Sequence, residues 1–161
     1  MTVLVPMTEA EYAEFVAQTV VAYAADKVAS GEWLPHESLA LAQKVFDELL
    51  PQGLATPGNH LFTIRPRRDL AAVGRLWFAV QERAGKRIAY VYDVGVQPQH
   101  QRQGHASGAF FALEAEAARL GLSGIALHVF GHNAAAQAMY VKLGFHVTDI
   151  NMYKPVGSAG A

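Results

Sequence analysis

Three residues near the end of the chain have the spacing of one helix face. Asn133, Ala136 and Tyr140 are separated by three and then four positions, so in a helix their side chains point the same way. An amide, a small side chain and a phenol on one face can bind a single ligand, with the two polar groups supplying hydrogen bonds. Two structural roles compete with this interpretation. Asn133 is a suitable helix N-cap, and Tyr140 can be a core aromatic of an amphipathic helix.

A second candidate site lies at residues 94–107, where a predicted strand runs through a turn into a helix. The first amides of a helix have no partner within it and lie at the positive end of its dipole, so they attract a phosphate group. Gly104, Ala106 and Ser107 are small enough to let a diphosphate approach the backbone closely. Arg102 can add a charged contact from the rim. Alternatively, Gly104 only relieves a tight strand-to-helix turn.

The composition and the motifs that are missing exclude several chemistries. The chain has no cysteine, which excludes disulfides, thiolate metal sites and a cysteine nucleophile. It has neither a Gly-Lys-Ser/Thr phosphate loop nor a G-x-G-x-x-G fingerprint, which argues against an ATPase or a dehydrogenase. His128 and His132 are four apart, but they fall in a predicted strand and the turn after it, where that spacing does not share a face. We therefore expect no metal site.

The charge balance restricts the partners. Thirteen Lys and Arg residues against 14 Asp and Glu give a formal net charge of −1, which provides no field to hold a polyanion, so we expect no nucleic acid partner. Any anion must be bound locally. No run approaches the roughly 18 apolar residues of a membrane span, and the opening residues lack a basic region followed by an apolar stretch. We expect a cytoplasmic location and no membrane partner.

The elements that position these sites follow from periodicity and turn signals. Thr8 and Glu11 form a capping-box pattern that starts a helix ending at Gly31, and a second helix ends before Pro51. The later pattern predicts strands at 60–65, 73–82 and 87–96, a helix at 110–120, a strand at 125–130, a helix at 133–143 and a strand at 145–153. This order indicates a mixed α/β or α+β sheet in a single domain of residues 1–156, followed by a frayed tail at 157–161.

Both candidate sites carry the motifs of a known family. The loop Gln101-Arg102-Gln103-Gly104-His105-Ala106, preceded by Val96-Gln97-Pro98, resembles motif A of the GNAT superfamily of acyl-coenzyme A dependent N-acyltransferases. That motif is Gln/Arg-x-x-Gly-x-Gly/Ala. The stretch Asn133-x-x-Ala136-x-x-x-Tyr140-x-x-x-Gly144-Phe145 is similar to motif B of the same family. Gln rather than Arg at the first position of motif A, and Ala rather than Gly at the sixth, are departures within the family's range.

The resemblance implies a GNAT-like fold, a mixed, mostly antiparallel sheet flanked by about four helices, with acetyl-coenzyme A (acetyl-CoA) held where the fourth strand separates from the fifth. It implies that Asn133 contacts the pantetheine region and that the Tyr140 hydroxyl hydrogen-bonds the thioester sulfur. A bulge at Gly95 would aim one backbone N–H at the thioester carbonyl, although an ordinary buried strand explains the valines on either side equally well. The cofactor-binding residues expected on this basis are Val94, Val96, Gln101, Arg102, Gln103, Gly104, His105, Ala106, Ser107, Asn133, Ala136 and Tyr140.

Asp93 is the candidate for receiving or orienting the substrate amine, and with Tyr140 it completes the expected catalytic pair. Only a neutral amine attacks, and amine pKa values of about 8 to 10.4 mean that a base or a water chain is needed. Asp93 can instead cap a turn or pair with Lys86 or Arg87. Alternates for the base are Glu82, Tyr90 and Tyr92, and candidates for lining the acceptor pocket are Trp33, His36, His60 and Trp77.

The expected activity is transfer of an acetyl group from acetyl-CoA to a primary amine, without a metal. Because the chain has neither cysteine nor a G-x-S-x-G serine elbow, an acyl-enzyme has no obvious nucleophile, and both substrates should meet in a ternary complex. The acceptor can be a small-molecule amine or a peptide or protein amine, and the protein can be a monomer or a homodimer. The alternatives are a non-catalytic acyl-CoA binding or sensing module and a groove for another diphosphate ligand.

Overall fold

The computed structural model describes residues 2–157, which form one five-stranded sheet and four α-helices. The strands are β1 (Val3–Pro6), β2 (Asn59–Arg65), β3 (Gly74–Arg83), β4 (Lys86–Val96) and β5 (Ile125–Leu127). The helices are α1 (Glu9–Ala29), α2 (Pro35–Leu49), α3 (His105–Arg119) and α4 (Ala134–Lys142). The predicted frayed tail lies outside the described residues except for Gly157.

The sheet has the strand order β1-β2-β3-β4-β5. Neighbouring strands are antiparallel except for β4 and β5, which are parallel. β3 and β4 form a hairpin through Ala84 and Gly85, both of which have positive φ, as a two-residue hairpin turn requires. The prediction of a mixed, mostly antiparallel sheet flanked by about four helices is confirmed.

The structure corrects the prediction at both ends of the chain. The strand predicted at 145–153 is wrong, because residues 145–157 form neither strand nor helix. An alternating pattern shows only that a segment suits a sheet, and a strand forms only where a partner is present. β1, which the periodicity did not predict, has four residues and is defined by its pairing with β2, Val3 lying opposite Arg65. β5 ends at Leu127, short of the predicted end at 130.

α1 is anchored at its first turn. The Thr8 hydroxyl oxygen accepts from the Glu11 N–H at 3.2 Å, and Glu11 Oε1 accepts from the Thr8 N–H at 3.0 Å. The other carboxylate oxygen of Glu11 lies 2.8 Å from Nη2 of Arg65 in β2. The capping box predicted from the sequence is therefore confirmed, and it also attaches the start of α1 to the sheet.

Each face of the sheet buries a different set of helices. The face toward α3 and α4 packs Ile64, Leu76, Phe78, Val91, Phe110, Leu113 and Tyr140 into one cluster. The opposite face packs Phe15, Val20, Ala42, Phe46, Leu61 and Trp77 against α1 and α2. A side chain of β4 therefore points either toward α1 and α2 or toward α3 and α4, and this choice decides what it can contact.

The close approach of β3 and β4 depends on Gly74. A Cβ added at Gly74 would collide with the Gly95 carbonyl oxygen, whereas one added at Gly124 would meet only Ile88 Cγ2, at 3.9 Å. We predict that Gly74→Ala lowers the free energy of unfolding by about 1–3 kcal/mol, because the two strands must move apart. The control Gly124→Ala should change it by less than about 1 kcal/mol. Urea denaturation followed by circular dichroism measures both values, and equal destabilisation would contradict the prediction.

Candidate active site

β4 is paired along one edge for its whole length and along the other for only part of it. It pairs with β3 from Lys86 to Val96, whereas its pairing with β5 ends at Val91, opposite Leu127. Within residues 2–157, the edge of residues 92–96 that faces β5 has no strand partner. The backbone groups along this edge can therefore hydrogen-bond a ligand. We call the space beside residues 92–96 the β4–β5 cleft.

A β-bulge in β4 decides which way the side chains beside the cleft point. Trp77 of β3 lies opposite Asp93, but the next residue, Phe78, lies opposite Val91, so Tyr92 is the extra residue. Beyond Tyr92 the alternation of faces is shifted by one position. Asp93 consequently shares a face with Trp77, toward α1 and α2, and not with Val91.

The bulge predicted at Gly95 is wrong, because Gly95 pairs regularly with Arg75. A Cβ at Gly95 would lie 2.8 Å from Arg75 Nη1, so the glycine leaves room for the guanidinium group to cross β4. Arg75 Nε lies 2.8 Å from Asp93 Oδ2, and Arg75 Nη2 donates to Asp93 Oδ1 at 3.4 Å. Pairing of Asp93 with Lys86 or Arg87 is also wrong, since those residues lie at the other end of β4.

The ion pair of Asp93 with Arg75 is largely buried. The two side chains are 18% and 28% exposed, and the enclosed Nε and Oδ2 atoms are not aligned as a hydrogen bond, so their attraction is Coulombic. Burial raises the pKa of Asp93, and the neighbouring charge of Arg75 opposes that rise. A carboxylate with a raised pKa is a stronger base than an exposed one. No sequence motif identifies Arg75 as a site residue. The bulge at Tyr92 puts Asp93 on the same sheet face as Arg75, and the sequence did not predict this bulge.

The loop between β4 and α3 presents free backbone amides. It contains a 3₁₀ turn (Pro98–His100), and Gly104 is the N-cap of α3 with φ +84°. The amides of residues 104–107 form no hydrogen bond with other described residues, and the first bond of the helix runs from the Gly108 N–H to the Gly104 oxygen at 2.9 Å. Free amides at the positive end of a helix suit a phosphate group.

The side chains of this loop have different surroundings. Gln101 Nε2 donates to the Val96 carbonyl oxygen at 3.0 Å, so Gln101 ties the loop to the end of β4. Arg102 is exposed and has φ +61°, an uncommon value for a residue other than glycine. The remaining loop residues, which are exposed or half-buried, are Gln103, His105, Ala106 and Ser107. Arg102 is therefore the loop's charged group that is open to a ligand.

α4 carries the residues of the second candidate site. Asn133 caps the helix, since its Oδ1 accepts from the Ala136 N–H at 3.3 Å. The Tyr140 ring is 9% exposed and packs edge-on against Phe110 and Phe145, with ring centroids 5.7 and 5.6 Å away. Asn133 is therefore a helix N-cap and Tyr140 a core aromatic, which are the two structural roles considered from the sequence. The Tyr140 hydroxyl, however, forms no hydrogen bond with the described residues, which leaves it free for a ligand.

Tyr140 and Asp93 interact electrostatically. Burial raises the pKa of the Tyr140 hydroxyl, and the negative charge of Asp93 raises it further. A phenol with a raised pKa stays protonated at neutral pH and can donate a hydrogen bond. The arrangement therefore combines a hydrogen-bond donor, a buried carboxylate and an unpaired strand edge.

The candidates for an acceptor pocket include residues that belong to the core. Trp77 is 1% exposed and stacks on Tyr92 with ring centroids 4.6 Å apart. His60 stacks on Phe78, on the sheet face away from Asp93, with centroids 4.7 Å apart. The other pocket candidates are the half-buried Trp33 and the exposed His36. Of the alternates for the base, Tyr90 and Tyr92 are half-buried and Glu82 is exposed. Trp77 and His60 are thus packing residues. Trp77 lies opposite Asp93 and donates its indole N–H to Asn59 Oδ1 at 2.9 Å.

Asp26 of α1 also lies near the cleft. His132, in the loop before α4, places Nε2 3.1 Å from Asp26 Oδ1, which joins that loop to α1. The charge of Asp26 adds to the rise in the pKa of Asp93, so the two carboxylates are close enough to interact. Each of the two carboxylates also has a basic side chain beside it, Arg75 next to Asp93 and His132 next to Asp26.

His128 and His132, which are four residues apart, contact different groups. His132 contacts Asp26, and His128 packs edge-on against Phe130. Across residues 2–157, no three His, Asp or Glu side chains are grouped as a metal ion would need. In the same part of the chain, none of the helices has the length and apolar character to cross a membrane.

Comparison with solved structures defines the class of protein. The crystal structure of YycN from Bacillus subtilis has a TM-score of 0.93 and 34% sequence identity, covering 98% of this chain and 100% of that chain. A second solved structure, from Pyrococcus furiosus, has a TM-score of 0.68 and 23% identity, covering 97% of this chain and 100% of that chain, which shows the shared fold. The fold is that of the GNAT acetyltransferases.

Sequence comparison identifies the family. Residues 20–145 match the model of the GNAT acetyltransferase family. The chain is 36% identical over 152 residues to the uncharacterized N-acetyltransferase YycN, covering 94% of this chain and 96% of the relative. It is 30% identical over 148 residues to the uncharacterized N-acetyltransferase YdgE, also from Bacillus subtilis, with 92% and 94% covered. The chain therefore belongs to the GNAT family of N-acetyltransferases, whose members use acetyl-CoA and act on amines.

The start of α3 provides a matched pair of glycines for testing the phosphate site. Gly104 and Gly121 have φ of +84° and +72°, and a Cβ at either meets open space, so the same substitution strains both backbones similarly. We predict that Gly104→Glu raises the Kd for coenzyme A at least about tenfold, because it adds a carboxylate beside the free amides where we expect the phosphate. Gly121→Glu, at the other end of α3, should leave the Kd unchanged. Isothermal titration calorimetry measures both, and unchanged binding by Gly104→Glu would contradict the assignment.

Proposed function

We propose that this enzyme transfers the acetyl group of acetyl-CoA directly to a primary amine while both substrates are bound. The observation that carries the proposal is the unpaired edge of β4 at residues 92–96, which includes Asp93 and continues into the loop whose free amides begin α3. Val94 of this edge packs against the core cluster that contains Tyr140. These features suit a ligand that has a diphosphate at one end, for the free amides of α3, and a thioester at the other, for the part of the cleft near Asp93 and Tyr140. The lack of cysteine supports direct transfer without an acyl-enzyme.

In the proposed complex the free amides at the start of α3 bind the diphosphate, and the exposed Arg102 adds a charged contact. The unpaired backbone of β4 hydrogen-bonds the pantetheine arm, and Gln101 holds the loop through Val96. The exposed face of α4 lines the other wall. The proposed cofactor-binding residues are Val94, Val96, Gln101, Arg102, Gln103, Gly104, His105, Ala106, Ser107, Asn133, Ala136 and Tyr140.

The proposed reaction begins with attack of a neutral amine on the thioester carbonyl carbon. The C–N bond forms, and a backbone N–H of the unpaired β4 edge stabilises the oxyanion. The C–S bond then breaks. The raised pKa of Tyr140 makes full proton transfer to a thiolate of pKa about 8.5 unfavourable. Tyr140 therefore stabilises the leaving sulfur by a hydrogen bond.

Asp93 is the proposed acceptor of the amine proton. Its burial raises its pKa, which brings a carboxylate closer to the basicity that the reaction needs. The ion pair with Arg75 holds the carboxylate in one orientation, and Asp26 adds to the negative charge beside it. The proton passes from the amine through Asp93 or water to the departing thiolate, so the products are the amide and free coenzyme A.

Tyr140→Phe tests the role of the hydroxyl. We predict that kcat falls about 10²-fold while the KM for acetyl-CoA changes little, because the lost hydrogen bond forms mainly to the charge that develops on sulfur. Release of free thiol with a panel of amines measures the rate. Tyr12→Phe, which removes a hydroxyl on α1 remote from the cleft, is the control and should leave kcat unchanged. A Tyr140→Phe enzyme with full kcat would eliminate the proposed role.

Asp93→Asn tests the base through the pH profile. The protonated carboxyl cannot accept a proton, so in the unaltered enzyme kcat should decrease as pH falls through the raised pKa of Asp93. We predict that Asp93→Asn lowers kcat about 10²- to 10⁴-fold and removes this limb of the profile. The acceptor amine also loses reactivity at low pH because it becomes protonated. Replacing it with an amine of different pKa shifts that part of the pH profile, whereas the decrease caused by Asp93 stays at the same pH. A variant with an unchanged acid limb would exclude Asp93 as the base.

Thiol release and thermal stability distinguish the proposed enzyme from the two alternative functions, a sensing module and a groove for another diphosphate ligand. A sensing module would bind acetyl-CoA in a one-to-one ratio and release almost no free coenzyme A with any amine. A groove for another diphosphate ligand would be stabilised against heat as much by ADP as by acetyl-CoA, whereas the proposed site gains additional stabilisation from the thioester arm.

A further inference from the structure

Arg75 has hydrogen-bonding capacity that its ion pair with Asp93 does not use. Its Nη2 atom donates to Asp93 Oδ1 at 3.4 Å, and its Nε atom lies beside Asp93 Oδ2. Nη1 forms no hydrogen bond with any of residues 2–157, and unlike Nε it is not enclosed by protein. A guanidinium group has five N–H donors, so Arg75 can bind a second anion through Nη1 while it holds Asp93.

The Nη1 atom of Arg75 lies beside the β4–β5 cleft. A Cβ added at Gly95 would be 2.8 Å from Nη1, so the guanidinium group covers β4 at Gly95, within the stretch of residues 92–96 that has one free edge. Asp93 is two residues away on the same face, toward α1 and α2. The free donors of Arg75 and the proposed acceptor of the amine proton are therefore side by side.

The charges that α1 contributes near Asp93 are also arranged in pairs. Asp26, whose charge contributes to the raised pKa of Asp93, has its Oδ1 atom 3.1 Å from Nε2 of His132. Lys27, the next residue of α1, has its Nζ atom 3.0 Å from Glu32 Oε1. Each carboxylate thus has a basic side chain beside it. An acceptor with several ammonium groups would be repelled at each of these pairs, which disfavours a polyamine.

An ion pair selects ligands by the arrangement of their charges. An ammonium group that approaches Asp93 alone is repelled by Arg75, and a carboxylate that approaches Arg75 alone is repelled by Asp93. A molecule that carries both charges next to each other is attracted at both positions. Because the two side chains are only 18% and 28% exposed, water screens these forces less than it does at the surface.

We propose that the acetyl acceptor is a free amino acid, which binds with its amine at Asp93 and its carboxylate at Nη1 of Arg75. This inference rests on the proposed acetyl transfer and names the acceptor for the same site. The nitrogen of an α-amino acid lies about 2.5 Å from its carboxyl carbon, which is comparable with the 2.8 Å between Arg75 Nε and Asp93 Oδ2. Transfer forms the C–N bond and breaks the thioester C–S bond, and the amine proton ends on the thiolate. The products are an N-acetylated amino acid and free coenzyme A.

Paired acceptors test the acceptor class in the unaltered enzyme. Thiol release is measured with a panel of free L-amino acids and with the carboxamide of each, which keeps the amine and the side chain but lacks the negative charge. With rates expressed per concentration of neutral amine, we expect kcat/KM to be at least about tenfold higher for the preferred amino acid than for its amide, because the amide loses a charge-assisted hydrogen bond. Amides that react as fast as the acids would overturn the acceptor class and leave acetyl transfer standing. Absence of thiol release with every amine would instead remove the proposed function, and this inference with it.

Variants distinguish binding of the carboxylate by Arg75 from its support of Asp93. Arg75→Gln should lower kcat for both members of an acid and amide pair, since Asp93 loses its counter-charge, and it should also bring their kcat/KM ratio close to one. Gly95→Ala, whose Cβ displaces Nη1 while the charge remains, should reduce the same ratio. Arg83→Gln is the control, because Arg83 lies over the Tyr90 ring at the far end of β3, and it should leave the ratio unchanged. An Arg75→Gln enzyme that keeps the full preference for the acid would overturn the proposal, because a merely structural Arg75 changes both rates equally.

Discussion

The one-sided pairing of β4 is the constraint on which the site depends. A backbone N–H or C=O within a sheet is normally satisfied by the neighbouring strand. In β4 the partner on the β5 side is lost after Val91, while the partner on the β3 side continues to Val96. The strand stays rigid because one edge is paired, and it can bind a ligand because the other edge is not. Fixed donors in a rigid frame stabilise developing charge without reorganising.

The proposed phosphate site uses a second set of unpaired backbone groups. The amides of residues 104–107 are free because they open a helix, and Gln101 holds the loop by its bond to Val96. These amides carry partial positive charge without a basic side chain. The proposed site therefore needs no excess of basic residues, which fits a chain with a formal net charge of −1.

The buried charges near the cleft are stable only as a group. Moving a carboxylate out of water costs several kcal/mol unless a counter-charge and hydrogen bonds compensate. Arg75 compensates Asp93, and the glycine at position 95 leaves room for it to do so. The bulge at Tyr92 puts Asp93 on the correct face. A charge retained at this cost beside the unpaired edge fits a role in the reaction.

The sequence by itself determined the features that depend on neighbouring residues. The capping box at Thr8, the loop that ends at Gly104 and the spacing of Asn133, Ala136 and Tyr140 are local patterns, and the helices and most strands follow from short-range periodicity. Pairing across the sheet joins residues far apart in sequence, so only the tertiary structure decided the bulge, the partner of Asp93 and the presence of β1. The alternating pattern at 145–153 describes a segment that suits a sheet, but a strand needs an edge to pair with, and that edge is not supplied by the segment's own sequence.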